Sequence, residues 1–110
     1  MSFYFGKKSW PELQKAIERD TLLILPIGTT EEHGKHLPVE TDAIIAKMFG
    51  DAIGEALQGE IPLLVMQPIW YGYSQKELAR WPGTIRLKTR TFMSMIYDIL
   101  SSVIEMGFNK

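Results

Sequence analysis

Gly28-Thr29-Thr30-Glu31-Glu32-His33-Gly34-Lys35-His36-Leu37-Pro38-Val39-Glu40-Thr41-Asp42 gathers both histidines of the chain and a cluster of carboxylates into one short stretch. It follows Leu22-Leu23-Ile24-Leu25, an unbroken apolar run that predicts a buried strand, and it precedes an apolar helical pattern beginning near Ala43. Strand, loop and helix in that order define an α/β chain, and functional groups in such chains collect on the strand-to-helix loop. The stretch is therefore a candidate metal site.

Upstream, Ser9 and Glu12 have the spacing of a capping box, and Leu13, Ala16 and Ile17 supply an i, i+3, i+4 face for a first helix. A strand is expected over residues 21–26. Downstream, a second helix is expected over residues 42–57, with Ile45, Met48, Phe49, Ala52, Ile53 and Ala56 on its buried side. Gly50 and Gly54 weaken that helix by about 1 kcal/mol each relative to alanine, so their reading is close packing rather than chemistry. Leu63-Leu64-Val65-Met66 is a second strand. It opens a long loop with Trp70, Tyr71, Tyr73, Trp81 and Pro82-Gly83-Thr84, too aromatic for disorder and of a length that usually carries function.

A third helix over residues 89–106 is expected to bury Phe92, Ile96, Ile99, Leu100 and Val103 and to end at Gly107. Only Phe108, Asn109 and Lys110 follow. A third helix in an α/β chain returns to the sheet, where a parallel strand pairs beside the others. No such strand is expected here, so residues 1–110 read as the N-terminal portion of one larger domain, a β-α-β-α piece.

Within the loop, Glu31 and His33 lie two apart, so in an extended segment their side chains project from one side and can share an ion. Carboxylate with imidazole suits Zn²⁺, Mn²⁺ or Fe²⁺. Asp42, at the expected start of the second helix, could bridge a pair of ions; it could equally be an N-cap, worth about 1 kcal/mol. His33 and His36 could likewise be polar loop residues satisfied by backbone groups.

Composition narrows the partners. The chain has 12 Lys and Arg against 13 Asp and Glu, which gives no footprint for nucleic acid. It has no cysteine, which excludes disulfides, a thiolate metal site and a thiol nucleophile, and which fits a reducing cytoplasm, the expected location. Its N-terminal charges follow the apolar residues, the reverse of a signal peptide, and no apolar run approaches the ~20 residues of a membrane span.

Leu25-Pro26-Ile27-Gly28-Thr29-Thr30-Glu31-Glu32-His33-Gly34-Lys35-His36-Leu37-Pro38 through Thr41-Asp42 resembles the signature of the creatininase (creatinine amidohydrolase) family, PIGSxEQHGPHLPxxTD. Tyr71-Gly72-Tyr73-Ser74-Gln75-Lys76-Glu77-Leu78 and Trp81-Pro82-Gly83-Thr84-Ile85 resemble its YGxSxEH and FPGTISL segments. The resemblance implies an α/β/α sandwich, commonly hexameric. It further implies a hydrolase of a cyclic or small-molecule amide, creatinine-like or a formamide, using a water activated by two divalent metal ions. Carried over by position, Glu31 and His33 each bind one ion and Asp42 bridges them. His36 supports the ligands or faces substrate, and Tyr73 and Ser74 lie at the substrate pocket. Glu32, Lys35, Leu78 and Trp81 depart from the motifs, where Gln, Pro, His and Phe are usual. The remaining ligands and the general acid are expected beyond residue 110. The alternative expectation is a catalytically inactive assembly module that keeps only part of the site.

Overall fold

In the computed structural model, which describes residues 2–110, two short strands, Leu22–Ile24 (β1) and Leu63–Val65 (β2), pair in parallel with Leu22 opposite Leu63 and Ile24 opposite Val65. All three residues of β2 are buried. Successive strand side chains face opposite sides, so both faces of β2 are covered, as in a layered α/β fold. The helices are Trp10–Glu18 (α1), Thr41–Leu57 (α2) and Thr89–Met106 (α3), and short 3₁₀ turns span Phe5–Lys7 and Lys76–Arg80. The amphipathic periods thus place α2 and α3 within one residue of their expected ends, and α1 begins directly after Ser9, its expected cap.

Local chemistry explains the boundaries. At the start of α1 the Glu12 carboxylate accepts from the Ser9 N–H (3.0 Å) and the Ser9 hydroxyl (2.9 Å), and a proline lies in the first turn. These two donors hold the Glu12 pKa below its ordinary value. At the end of α3 the chain turns out through Gly107, whose φ of +120° suits glycine, and the Phe108 N–H returns to the Val103 carbonyl at 3.1 Å.

Both strand edges carry a further segment. The Val65 N–H donates to the Phe3 carbonyl (2.8 Å) on one side, and the Leu23 N–H donates to the Lys110 carbonyl (3.0 Å) on the other. As expected, no strand follows the third helix among the described residues, although the last residue touches the sheet through one hydrogen bond. Gly107 redirects the chain, Phe108 is buried, and Lys110 arrives at the outer edge of β1. The N-terminal segment is tied to α2 as well: the Tyr4 hydroxyl donates to Asp51 Oδ1 (2.9 Å) and Lys47 Nζ to Asp51 Oδ2 (2.7 Å).

The buried side of α2 differs from the expected one. Ala43, Gly50 and Gly54 are the buried residues, while Ile45, Met48, Phe49, Ala52, Ile53 and Ala56 are exposed, Phe49 by 67%. Contact distance is the reason. A Cβ on Gly50 would stand 2.9 Å from Pro26 Cγ and 3.1 Å from Val65 Cγ1, and one on Gly54 would collide with the Phe3 ring. The helix lies so close to the sheet that only its small-residue stripe fits, which bears out the close-packing reading of both glycines. On α3, Phe92, Ile96 and Ile99 are half-buried and Val103 is buried, but Leu100 is exposed beside Met93, Tyr97 and Ile104. The radius of gyration, 15.9 Å, exceeds the roughly 13 Å of a compact domain near this length, in line with two apolar helix faces left open. No helix among the described residues is long and apolar enough to cross a membrane.

Candidate metal centre

Backbone hydrogen bonds fix the loop that leaves β1. The Gly28 N–H donates to Ile69 O (2.9 Å), Ile69 N–H to Pro26 O (3.0 Å), Ile85 N–H to Thr30 O (2.9 Å) and Glu31 N–H to Val39 O (3.0 Å). Two threonines add side-chain ties: the Thr30 hydroxyl donates to Trp70 O (2.8 Å), and Thr84 Oγ1 accepts from the Glu32 N–H (2.9 Å). The aromatic loop therefore folds back on the histidine-bearing one. Close approach needs two glycines. A Cβ on Gly28 would lie 2.5 Å from Ala43 Cα and 3.0 Å from Asp42 O, and one on Gly72 would lie 2.8 Å from Gly28 O. Gly28 thus lets the exit of β1 run directly against the first turn of α2.

This approach brings Glu31, His33 and Asp42 together. Each is half-buried, and each offers one donor atom within 4.8 Å of the other two. His33 Nδ1 lies 3.2 Å from the Glu31 carbonyl, which can only accept, so Nδ1 carries a proton. That leaves Nε2 aimed at Asp42 Oδ1, 3.3 Å away. In neutral imidazole this nitrogen is a lone pair facing a carboxylate, an arrangement that needs a cation, either a proton or a metal ion. Consistently, the His33 pKa is raised above 6.5, first by the Glu31 carbonyl and then, against partial burial, by the charges of Asp42 and Glu31. The N-cap reading of Asp42 is decided as well. Glu40 occupies the N-cap position, Thr41 Oγ1 donates to Pro38 O (2.6 Å), and Asp42 sits in the first turn with its carboxylate on His33. The oxyanion there also gains from the positive end of the helix.

The remaining expected site residues separate. Ser74, 2% exposed, donates to Glu31 Oε1 at 2.8 Å, and Thr29 Oγ1 is 3.1 Å from Ser74 Oγ. Tyr73 is half-exposed and, with Asp42, Ile45 and Phe92, lines an open cavity of about 430 Å³. His36 is exposed, packs near Gly34 and lies outside the three-residue cluster. Sequence reasoning missed Thr29, Thr84, Gly28 and Gly72. The hydroxyl pair Thr29-Thr30 immediately before Glu31 was the available signal.

The structure is thus a parallel βα fold with a carboxylate–imidazole–carboxylate cluster at the strand exit, a candidate metal centre, and comparison with known proteins assigns its family. The creatininase family model, described as creatinine amidohydrolase, covers residues 6–110, and the chain belongs to that family. It is 27% identical to the 3-dehydro-scyllo-inosose hydrolase of Thermotoga maritima over 97% of this chain and 33% of that protein. It is 27% identical to the creatinine amidohydrolase of Pseudomonas putida over 96% of this chain and 41% of that protein. A creatininase structure with manganese superposes with a TM-score of 0.89 at 25% identity, covering 100% of this chain and 43% of the other. The chain thus spans a third to about two fifths of these relatives.

Proposed function

We propose that Glu31, His33 and Asp42 hold divalent metal, Zn²⁺ or Mn²⁺, for hydrolysis of a small-molecule amide. The convergence of three donor atoms within 4.8 Å carries this reading. When bound, such an ion polarises a carbonyl and lowers the pKa of a water molecule. The chain's own residues hold and orient. The His33 tautomer is set by the Glu31 carbonyl, and the Glu31 carboxylate is held at Oε1 by Ser74. Asp42 places Oδ1 3.3 Å from His33 Nε2, and with its two oxygens the carboxylate could serve both ions of a pair. Tyr73 and Phe92 wall the adjoining cavity, where the flat face of an amide can lie. Three donors do not fill the spheres of two ions. The other positions, and the proton for the leaving nitrogen, fall to water, substrate or residues outside 1–110. Sequence relatives are named for an inosose and for creatinine, so membership of the family does not choose the substrate.

Elemental analysis after dialysis against Mn²⁺ or Zn²⁺ tests the reading. Asp42→Ala should remove all bound metal and His33→Ala about half of it. Stoichiometric metal retained by folded Asp42→Ala protein would contradict the bridging role. A second reading, an assembly module without turnover, is favoured by the exposed apolar faces of α2 and α3. It predicts metal-independent association and no chelator-sensitive hydrolysis.

A further inference from the structure

We infer that Thr29 and Ser74 form a one-way hydrogen-bond relay that fixes the Glu31 carboxylate for metal capture, with Ser74 positioning Glu31 and Thr29 positioning Ser74. The inference rests on the metal reading above and assigns work to two hydroxyls outside the three-residue cluster.

Proton counting sets the direction. An ionised carboxylate only accepts, so the single hydroxyl hydrogen of Ser74 goes to Glu31 Oε1 across 2.8 Å. The contact between Thr29 Oγ1 and Ser74 Oγ, 3.1 Å, then requires Thr29 to be the donor. Charge flows one way along this chain of donors: each hydrogen bond polarises the next toward the carboxylate. Burial makes the arrangement hard to replace, because Ser74 is 2% exposed and water has little access to stand in for it.

The frame of the relay is itself pinned. The Ser74 carbonyl accepts from Arg86 Nε at 3.0 Å, and the neighbouring Gly72 carbonyl accepts from the Leu87 N–H at 3.1 Å. Thr29 follows Gly28, whose backbone presses on the first turn of α2. The relay therefore joins the exit of β1 to the aromatic loop, 45 residues away, at the Glu31 carboxylate. Held at Oε1, the Glu31 carboxylate is fixed in orientation while it offers an oxygen within 4.8 Å of the donor atoms of His33 and Asp42. The same burial and hydrogen bonding make Ser74 a positioning residue rather than a nucleophile.

Zn²⁺ titrated calorimetrically into metal-free protein at fixed pH tests the relay, with thermal unfolding followed on each variant. Ser74→Ala should weaken Zn²⁺ affinity about 10- to 100-fold, the usual cost of losing a group that holds a ligand. Thr29→Val, which keeps the shape, should weaken it from a few-fold to about tenfold, one neutral hydrogen bond's worth. Thr29→Ser should bind as the unsubstituted protein does, and Thr29→Val added to Ser74→Ala should have no further effect. A purely structural role would lower the melting temperature of Thr29→Val without moving its affinity, and that result overturns the relay. So does unchanged affinity in both Ser74→Ala and Thr29→Val. If Ser74→Ala fails to fold, the comparison of Thr29→Val with Thr29→Ser decides. No Zn²⁺ binding by the unsubstituted protein would overturn the metal reading and the relay together, whereas tight binding indifferent to both hydroxyls would sink the relay alone.

Discussion

Gly28→Ala is the sharpest perturbation of this fold. Gly28 does not adopt positive φ, so alanine is conformationally acceptable and the effect is steric. The new Cβ would meet Ala43 Cα at 2.5 Å, Ala43 N at 2.9 Å and Asp42 O at 3.0 Å, all of them backbone atoms that cannot swing aside. Ordinary contact lies at about 3.5 to 4.0 Å, so the loop and the first turn of α2 must part by roughly 1 Å. Overpacking of this kind costs about 1 to 3 kcal/mol. At roughly 4 °C per kcal/mol for a chain of this size, the melting temperature should fall by about 4 to 12 °C. Metal affinity should suffer more than stability, because ligand positions tolerate only about 0.2 Å and Asp42 lies on the side that moves. Gly59→Ala is the control: a Cβ there meets nothing within 4 Å, and the change should be neutral or stabilise by up to about 1 kcal/mol. Differential scanning calorimetry with Zn²⁺ titration reads both quantities. Gly28→Ala protein that melts and binds like the unsubstituted chain would refute the close-approach argument, and a lower melting temperature with intact affinity would separate the packing from the site.

Burial pushes the Asp51 carboxyl upward, but hydrogen bonds from Lys47 and Tyr4 outweigh it and hold the pKa below 3.8. A depressed carboxyl stabilises above its unfolded value and loses that contribution as pH falls through its folded value; Asp51→Asn should therefore flatten the acid limb of melting temperature against pH below about pH 4, and an unchanged limb would remove Asp51 from the account. The 110-residue chain, assayed alone with Mn²⁺ against creatinine and formamide substrates, should be silent; turnover abolished by a chelator and by Glu31→Ala would show that its three donors suffice. Sedimentation over a concentration series should show self-association through the open faces of α2 and α3, relieved by Phe49→Lys with Tyr97→Lys, whereas a compact monomer of the unsubstituted chain at every concentration would refute it.

Most of the element order was legible because it rests on local chemistry. The apolar runs of β1 and β2, the Ser9–Glu12 pair, the helical periods and Gly107 act within a few residues, and the structure places them nearly where the sequence does. The convergence of Glu31, His33 and Asp42 was legible as a shared loop, although periodicity left Asp42 open between cap and ligand. What failed was the choice of the face that α2 turns to the sheet and the pairing of side chains across the loops. The hydrophobic pattern of α2 is apolar nearly all round, so counting residues favoured the face with Ile45, Met48, Phe49 and Ile53, while the sheet took the stripe with Ala43, Gly50 and Gly54. The role of Thr29 depends on Ser74, and that of Thr84 on Glu32, partners 45 and 52 residues away, which no local pattern encodes.

The exposed face of α2 and the geometry of the metal centre have one cause. Gly28 at the strand exit, against the backbone of Asp42 and Ala43, and Gly50, against the side chains of Pro26 and Val65, are two points of close approach that leave no room for a further side chain. Two such points fix the axis of a rigid 17-residue helix, and that axis carries Asp42 to within 3.3 Å of His33. The larger apolar residues are turned outward because the inner side has no room for them. A side chain at Gly50 would push out the middle of α2 and, through the lever of about 1.5 Å per residue, shift Asp42 from two turns away. Gly50→Val should therefore weaken Zn²⁺ binding although position 50 is not part of the cluster. The comparison with Phe49→Lys, next in sequence but facing outward, is the discriminating one: Phe49→Lys should leave affinity intact, and equal losses in both variants would show that general destabilisation, not helix placement, sets the site.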